Sequence, residues 1–234
     1  MTLELSRVFN GLLYAGVPSD TAKREAARLC KQSVNAHELC PDKHTPQTPN
    51  KDIAREWGIG SCNKDGAIIT ISPGALGALQ WMKWGGRVFV CDICEPCVNN
   101  ARRMSRYYRD LDIIAHHVSV QGMTRLFCSV NKDKLSCVDI DLAFSIQNSV
   151  PILRSVLNTL VSSGVSTTVL LTYVNYRDGM GRNGDANRIA LLKSVLPKKV
   201  KYVDSHNYAS GWSDEHHSYS KGSAMSIARL EVRA

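Results

Sequence analysis

The sequence predicts an α/β fold, with a doubly wound, mostly parallel seven-stranded sheet, a C-terminal antiparallel hairpin and an N-terminal helical extension. Three observations lead to this prediction. From residue 66 to residue 203, short β-branched apolar runs alternate with helical patterns, which is typical of buried parallel strands joined by helices. The last two strand patterns have no helix between them, so we expect them to pair antiparallel at one edge. Residues 2–34 follow a helical pattern of their own, ahead of a polar linker at 35–52.

Length and composition set the broad class. The 234 residues suffice for one sizeable domain and an extension. A polar, proline-rich linker predicts the boundary between them, with residues 1–50 as the extension and residues 51–234 as the main domain. Eight cysteines without a secretory leader pattern predict reduced thiols and a cytoplasmic protein. Lys and Arg outnumber Asp and Glu by 29 to 21, which favours nucleic acid as partner, although many basic proteins have no such partner.

The elements follow in order along the chain. Residues 2–34 predict two helices that a Gly-Val-Pro break separates. In the main domain, strands are predicted at 67–71, 87–92, 112–118, 135–141, 167–174, from 200 to at least 203, and at 224–232. Helices are predicted at 78–84, 96–110, 151–163 and 188–196, with Gly164 ending the third of these. Two long connections, 175–187 and 205–223, lie near the sheet edge where substrate is expected.

The fourth strand carries the first candidate for chemistry. It is hydrophobic, yet it delivers Asp139 and Asp141 to its carboxyl end, and Phe144 and Ser145 follow at once. A carboxylate at that position can accept the N–H of an amine substrate. Phe144 can stack on a flipped or single-stranded base, and ordinary packing under the next helix is the alternative.

The first two strands carry a second candidate. The first strand leads into the turn SPGALG at residues 72–77, whose glycines allow a ligand to approach the backbone closely. Asp92 ends the second strand about twenty residues later, where a carboxylate can accept both ribose hydroxyls of a nucleoside-containing cofactor. The alternative role for Asp92 is to cap the helix that follows.

These motifs resemble those of the class I S-adenosylmethionine-dependent methyltransferases over about residues 60–234. SPGALGAL is similar to the (S)GAxGLR turn of the tRNA guanine-N2 dimethyltransferases, and VDIDLAFS is similar to their DxDPYGS motif. The D/N-P-P-Y/F motif of amino-methyltransferases also aligns, with residues 141–144 in its four places. The resemblance implies a Rossmann-like methyltransferase domain, S-adenosylmethionine as cofactor and a nucleic acid acceptor, RNA more than DNA.

The resemblance also implies roles for individual residues. Asp139 or Asp141 would face the transferring methyl group, with Asp141 orienting the acceptor and Phe144 contacting it. The cofactor would lie against seven residues, which are Ser72, Gly74 and Gly77 at its methionine and ribose end, Asp92 on the ribose hydroxyls, and Ile93, Val120 and Gln121 around the adenine.

Other interpretations remain open. Leu142 and Ala143 stand in place of the motif's prolines, and Ser72 replaces an acid, so a catalytically silent nucleic-acid-binding or scaffolding module is the main alternative. A nicotinamide-dependent enzyme is disfavoured because GxGxxG is absent. A stripe of arginines at 102, 103, 106 and 109 fits phosphate binding or simply a solvated face. Metal binding is disfavoured both for the cysteines at 91, 94 and 97 and for Cys30, His37, Cys40 and His44.

Overall fold

The computed structural model describes residues 54, 56–58, 60, 62, 66–71, 87–93, 95–107, 112–130, 134–175, 180, 184–209, 213–214, 217–218 and 224–233. The helices in this part of the chain are α1 (Glu95–Tyr107), α2 (Val120–Val130), α3 (Ile146–Ser162) and α4 (Asp185–Ser194). Its strands are β1 (Ala67–Ile71), β2 (Val88–Asp92), β3 (Ile113–His117), β4 (Leu135–Ser145), β5 (Thr167–Val174), β6 (Val200–Ala209), β7 (Ser213–Asp214), β8 (His217–Ser218) and β9 (Ala224–Val232). None of the helices in these ranges is long and apolar enough to cross a membrane.

The main sheet confirms the predicted architecture. Its seven strands follow the order β3-β2-β1-β4-β5-β9-β6. The β2–β3 and β4–β5 pairs are parallel, whereas β9 runs antiparallel to both β5 and β6. The mostly parallel sheet therefore ends in an antiparallel pair at one edge, as the absence of a helix between the last two strand patterns predicts.

The described residues belong to two compact units, the first of which contains residues Thr70–Ser119. All five residues of β2 are buried, and β2 pairs with β3 so that Asp92 stands opposite His117. Helix α1 packs against both strands, and its Val98 and Ala101 are fully buried. The carboxyl ends of β2 and β3 therefore lie level with each other.

The second unit contains Thr48–Ile69 and Val120–Ala234. Seven of the eight residues of β5 are buried, as expected for a strand covered on both faces. Helix α3 packs on β4, β5 and β9, and its apolar stripe is fully buried at Leu153, Val156, Leu157 and Leu160. The predicted helix stop is also confirmed, because Gly164 has a φ of 67°. Its N–H and that of Val165 bond to carbonyls of the last helical turn, which is a Schellman ending.

Several boundaries differ from the prediction. Helix α2 was not predicted, because its start was assigned to a turn, although its buried residues Val120, Met123, Thr124 and Phe127 recur at helical spacing. Helix α3 begins at Ile146 and contains Pro151, which was predicted to open it. Strand β6 extends to Ala209, since its partner β9 continues far enough to pair with it. The 205–223 connection is thus strand in its first part, and it also contains the short β7–β8 pair.

Some predicted features lie outside the described residues. These are the helices within 2–34, the linker at 35–52, the helix at 78–84 and the four cysteine and histidine positions at 30, 37, 40 and 44.

A buried arginine joins four elements of the second unit. Arg188 of α4 is 0% exposed and bonds to the Asp185 carboxylate at 2.9 Å and to the Asn175 carbonyl at the end of β5. Asp185 also accepts a bond from Asn207 of β6 at 2.8 Å. The Asn175 amide and the Ser226 hydroxyl of β9 bond to each other, and Ser226 also bonds to Asn207. A buried charge is tolerated here because it has an acid and a carbonyl as partners.

Replacing Arg188 with alanine leaves Asp185 without its positively charged partner and opens a cavity. We expect Arg188→Ala to lower the free energy of unfolding by about 3–5 kcal/mol, measured by denaturant titration. Arg154→Ala, on the exposed face of α3, is the matched control and should change it by less than about 0.5 kcal/mol. Equal stability of the two variants would show that the network contributes little.

Tyr173 lies beside this network, opposite Ser226 in the β5–β9 pairing, and is 3% exposed. Burial raises its pKa from 10.0 to about 12, and the negative charge of Asp185 adds to this, while a hydrogen bond with Ser226 acts in the opposite direction. Since the folded state resists deprotonation, the contribution of Tyr173 to stability is complete below pH 10 and is lost as the pH rises towards about 12.

The stability of the protein should therefore fall between about pH 10 and pH 12 by up to roughly 3 kcal/mol on account of Tyr173. Tyr173→Phe removes this titration, so its unfolding free energy should decline less steeply over that interval. Tyr202→Phe should have a smaller effect, because the Tyr202 ring is only half-buried. If the unfolding free energies of the wild type and Tyr173→Phe fell equally steeply over this pH interval, Tyr173 would not be the group responsible.

Candidate active site

The carboxyl end of β4 brings acids and an aromatic side chain together within one strand. Asp139 is 0% exposed and Asp141 is 9% exposed, whereas Phe144 is 48% exposed. Alternating residues of a strand share a face, so Asp139 and Asp141 lie on the same face of β4. The strand thus presents nearly buried carboxylates just before an aromatic ring that faces solvent.

The backbone changes course between these residues. The parallel pairing with β5 runs regularly up to Asp141, opposite Thr172, and then shifts register before Ser145 pairs with Val174. Helix α3 starts at the next residue, and its first turn is fastened by the Ser149 hydroxyl, which donates to the Ser145 carbonyl at 3.0 Å. The irregularity takes residues 142–144 out of the ladder, which lets Phe144 project from the sheet instead of packing in it.

The carboxyl end of β2 forms the other candidate region, in the first unit. Asp92 is 6% exposed, and the next residue, Ile93, is 69% exposed. The Ile93 carbonyl accepts a hydrogen bond from Nε2 of His117, at the end of β3, at 2.9 Å. This bond ties the two strand ends together and holds the exposed Ile93 in place after the buried acid.

The start of α1 bears on the alternative role for Asp92. The helix begins at Glu95, so position 94, not Asp92, immediately precedes it. A helix cap is the residue next to the first turn, and Asp92 stands two positions earlier. Asp92 thus does not occupy the position next to the helix start.

The remaining cofactor candidates lie either in helix α2 or outside the described residues. Val120 and Gln121 were expected in a turn, but they form the first turn of α2, where Val120 is 3% exposed and Gln121 is half-buried. The predicted turn was wrong because α2 begins directly after Ser119. The positions Ser72, Gly74 and Gly77 lie outside the described residues.

The basic stripe of α1 is partly described. Arg102 and Arg106 are exposed, while the side chains at 103 and 109 are outside the described part. Arg102 is held against β3 by a bond from its Nε to the Ala115 carbonyl at 3.2 Å and by a bond to Asn99. The helix thus presents cationic side chains to solvent, one of them fixed in direction.

Sequence reasoning missed a cluster that precedes β1. The Trp57 segment, meaning residues 54, 56–58, 60 and 62, contacts β6 and β9 of the second unit. The Trp57 ring lies 5.7 Å from that of His206, and the Arg229 guanidinium carbon lies 5.2 Å from the Trp57 ring centre. No sequence signal marked these contacts, since the residues are more than 140 positions apart and share no motif.

Comparison with known proteins gives matches among solved structures. No family model and no curated protein matches the chain. The O-methyltransferase from Bacillus cereus, solved with SAH, is 12% identical, with a TM-score of 0.57 over 88% of this chain and 91% of that one. The 16S rRNA methyltransferase RmtF, solved with S-adenosyl-L-homocysteine, is 13% identical, with a TM-score of 0.50 over 97% of this chain and 90% of that one.

TrmN from Thermus thermophilus is also similar, at 13% identity and a TM-score of 0.51 over 88% of this chain. The match covers 52% of TrmN, so this chain spans about half the length of that protein. At such low identity the likenesses bear on the fold alone. The chain has the class I methyltransferase fold.

Proposed function

We propose that this protein is an S-adenosylmethionine-dependent methyltransferase that acts on a nucleic acid, RNA in preference to DNA. The observation that carries the proposal is the end of β4, where the nearly buried Asp141 precedes the exposed Phe144 at a break in the β4–β5 ladder. In open α/β sheets, ligands bind beyond the carboxyl ends of the strands.

The cofactor side of the proposal rests on β2. We assign the ribose hydroxyls to the Asp92 carboxylate and one face of the adenine to Ile93. Support comes from the low exposure of Asp92, which keeps its carboxylate poorly solvated, and from the 69% exposure of Ile93. The residues present fit an adenosyl group in this respect, with an acid for the sugar beside an apolar side chain for the base. Ser72, Gly74, Gly77, Val120 and Gln121 complete the proposed set.

The acceptor side rests on β4. When bound, the sulfonium cofactor supplies an activated methyl group, so the protein's task is to align the acceptor and exclude water. In the proposed mechanism the Asp141 carboxylate accepts the N–H of an amine acceptor and so directs its lone pair. Asp139, fully buried on the same face, adds negative charge behind it. Phe144 stacks on the base that carries the amine.

The nucleic acid acceptor is supported by charge. The chain has a formal net charge of +8, and exposed cations occur on α1, at Arg102 and Arg106, and at Lys198, Lys199 and Lys201 around the start of β6. Cationic surfaces bind phosphate backbones and release counterions. Among the similar structures, RmtF is a 16S rRNA methyltransferase, which agrees with this choice of substrate class.

A catalytically silent nucleic-acid-binding module is the second candidate. Leu142 and Ala143 replace the two prolines that stiffen the corresponding motif, and the β4–β5 pairing is irregular at this point. Such a protein would bind RNA without binding the cofactor, so the two experiments below separate the candidates.

The first prediction concerns the cofactor. Isothermal titration of the wild type with S-adenosylhomocysteine should give measurable heat, and Asp92→Ala should weaken binding about 10- to 100-fold, because charge-assisted hydrogen bonds to the ribose are lost. Asp112→Ala is the matched control, since Asp112 is an exposed acid at the start of β3 that pairs with Arg87 at 2.6 Å. It should leave the affinity unchanged. Absence of heat with the wild type would remove the enzyme proposal.

The second prediction concerns the acceptor. With radiolabelled cofactor and bulk RNA, Asp141→Asn should lower kcat by about 10²- to 10⁴-fold, because the amine loses its acceptor. Phe144→Ala should raise KM or lower kcat/KM by about 5- to 150-fold through lost stacking.

Two variants control for this experiment. Asp204→Asn removes an exposed acid of β6, and Leu126→Ala removes an apolar side chain of α2 that is 43% exposed, close to the 48% of Phe144. Both should keep wild-type rates. Wild-type activity in Asp141→Asn would contradict the assigned role, whereas RNA binding without any methyl transfer would favour the silent module.

A further inference from the structure

Two thiols meet in the second unit. Cys62 belongs to the Trp57 segment and is half-buried, whereas Cys137 lies within β4 and is 0% exposed. The two thiols are neighbours, close enough for each to shift the pKa of the other, although the residues are far apart in the sequence. Both are free thiols. The fold thus holds one half-buried and one buried sulfur beside each other.

The sheet fixes where this contact lies. Cys137 pairs with Thr168 of β5, and Thr168 also contributes a hydrogen bond to Cys62. Two positions further along β5, Gly58 packs so closely on Leu170 that a Cβ on the glycine would lie 2.8 Å from a Leu170 methyl carbon. The Trp57 segment is therefore pressed onto the face of β4 and β5 that carries Cys137. Asp139, two residues beyond Cys137, shares that face.

The surroundings make the two sulfurs unequal. The hydrogen bond from Cys137 lowers the pKa of Cys62, with further lowering from Thr168 and from the positive charge of Arg229, against the opposing effect of burial. Burial raises the pKa of Cys137, and so do the neighbouring Cys62 and Asp139. Cys62 is thus the sulfur that ionises first, with Cys137 as its proton-bearing partner.

We propose that Cys62 and Cys137 form a redox-active dithiol that peroxides oxidise to a disulfide and that low-molecular-weight thiols reduce again. The Cys62 thiolate attacks one peroxide oxygen, which yields a sulfenic acid and, after protonation, one water or alcohol molecule. The Cys137 sulfur then attacks Cys62, loses its proton and displaces the hydroxyl as water. Two thiols are oxidised by two electrons, and one peroxide is reduced by two.

The geometry suits the second step. The two thiols are neighbours, and the Trp57 segment that carries Cys62 lies on the face of β4 and β5 that carries Cys137, so the sulfurs can approach to the S–S length of about 2 Å. The product ties the Trp57 segment covalently to β4, two residues from Asp139. The proposal does not depend on methyl transfer, so it stands or fails separately from the proposed function.

The test uses the full-length reduced protein and hydrogen peroxide. After treatment, free thiols are blocked with iodoacetamide and the protein is digested for mass spectrometry. The expected product is one linked peptide pair containing Cys62 and Cys137, about 2 Da lighter than the two thiol peptides together, which dithiothreitol removes.

Cys62→Ser and Cys137→Ala should abolish this product, and Cys128→Ser should not. Cys128 is a fitting control because it is also a half-buried free thiol, but burial raises its pKa. In the reduced wild type, iodoacetamide should likewise label Cys62 faster than Cys128 near neutral pH. Cys62→Ser is a conservative change at a half-buried residue, so the test remains valid even if Cys137→Ala fails to fold.

Three outcomes would overturn the proposal. After peroxide treatment, both cysteines could still be free and become alkylated by iodoacetamide. Cys62 could instead be oxidised to a sulfinic acid. It could also form a disulfide with a cysteine other than Cys137. Any of these would show that the contact is a packing feature and not a dithiol.

Discussion

The parallel pairing of β4 with β5 is the constraint on which the rest of the second unit depends. From Cys137 to Asp141 the two strands keep a regular register, so every second residue of β4 faces the same side. That regularity places a thiol and two acids in line on one face. Where the register breaks, after Asp141, the chain releases Phe144 to solvent and enters α3. Both proposals use this strand, one at its end and one at its middle.

The end of β5 is secured by polar interactions. Asn175 follows the strand, and its carbonyl accepts a bond from the fully buried Arg188. Asp185, Asn207 and Ser226 complete the network, so α4, β6 and β9 are all joined to the last residue of β5. Such networks add little to the free energy of unfolding when compared with an apolar core of the same volume. Removing one member, however, lowers the free energy of unfolding strongly, because its partners stay buried without their bonds. A buried arginine that spans helix and strands therefore specifies how these elements fit together.

Much of the fold could be predicted from the sequence, because the signals are local. The alternation in β9 predicts its buried residues correctly, with Ala228 at 0%, Leu230 at 0% and Val232 at 3% exposure. Gly164 marks the helix end because only glycine adopts the required φ easily. Helix α2 was missed although its buried residues recur at helical spacing, because its first residues were assigned to a turn. The contacts of Cys62, Trp57 and Arg188 could not be foreseen, since each joins positions distant in sequence and depends on strand order, which no local pattern encodes.

The central claim is that this chain binds S-adenosylmethionine through the Asp92 carboxylate at the end of β2. A crystal structure of the protein with S-adenosylhomocysteine tests it most directly. The account predicts that the ribose hydroxyls bond to Asp92 and that the adenine lies against Ile93. A ligand bound elsewhere, or a carboxyl end of β2 filled by packed side chains, would contradict it.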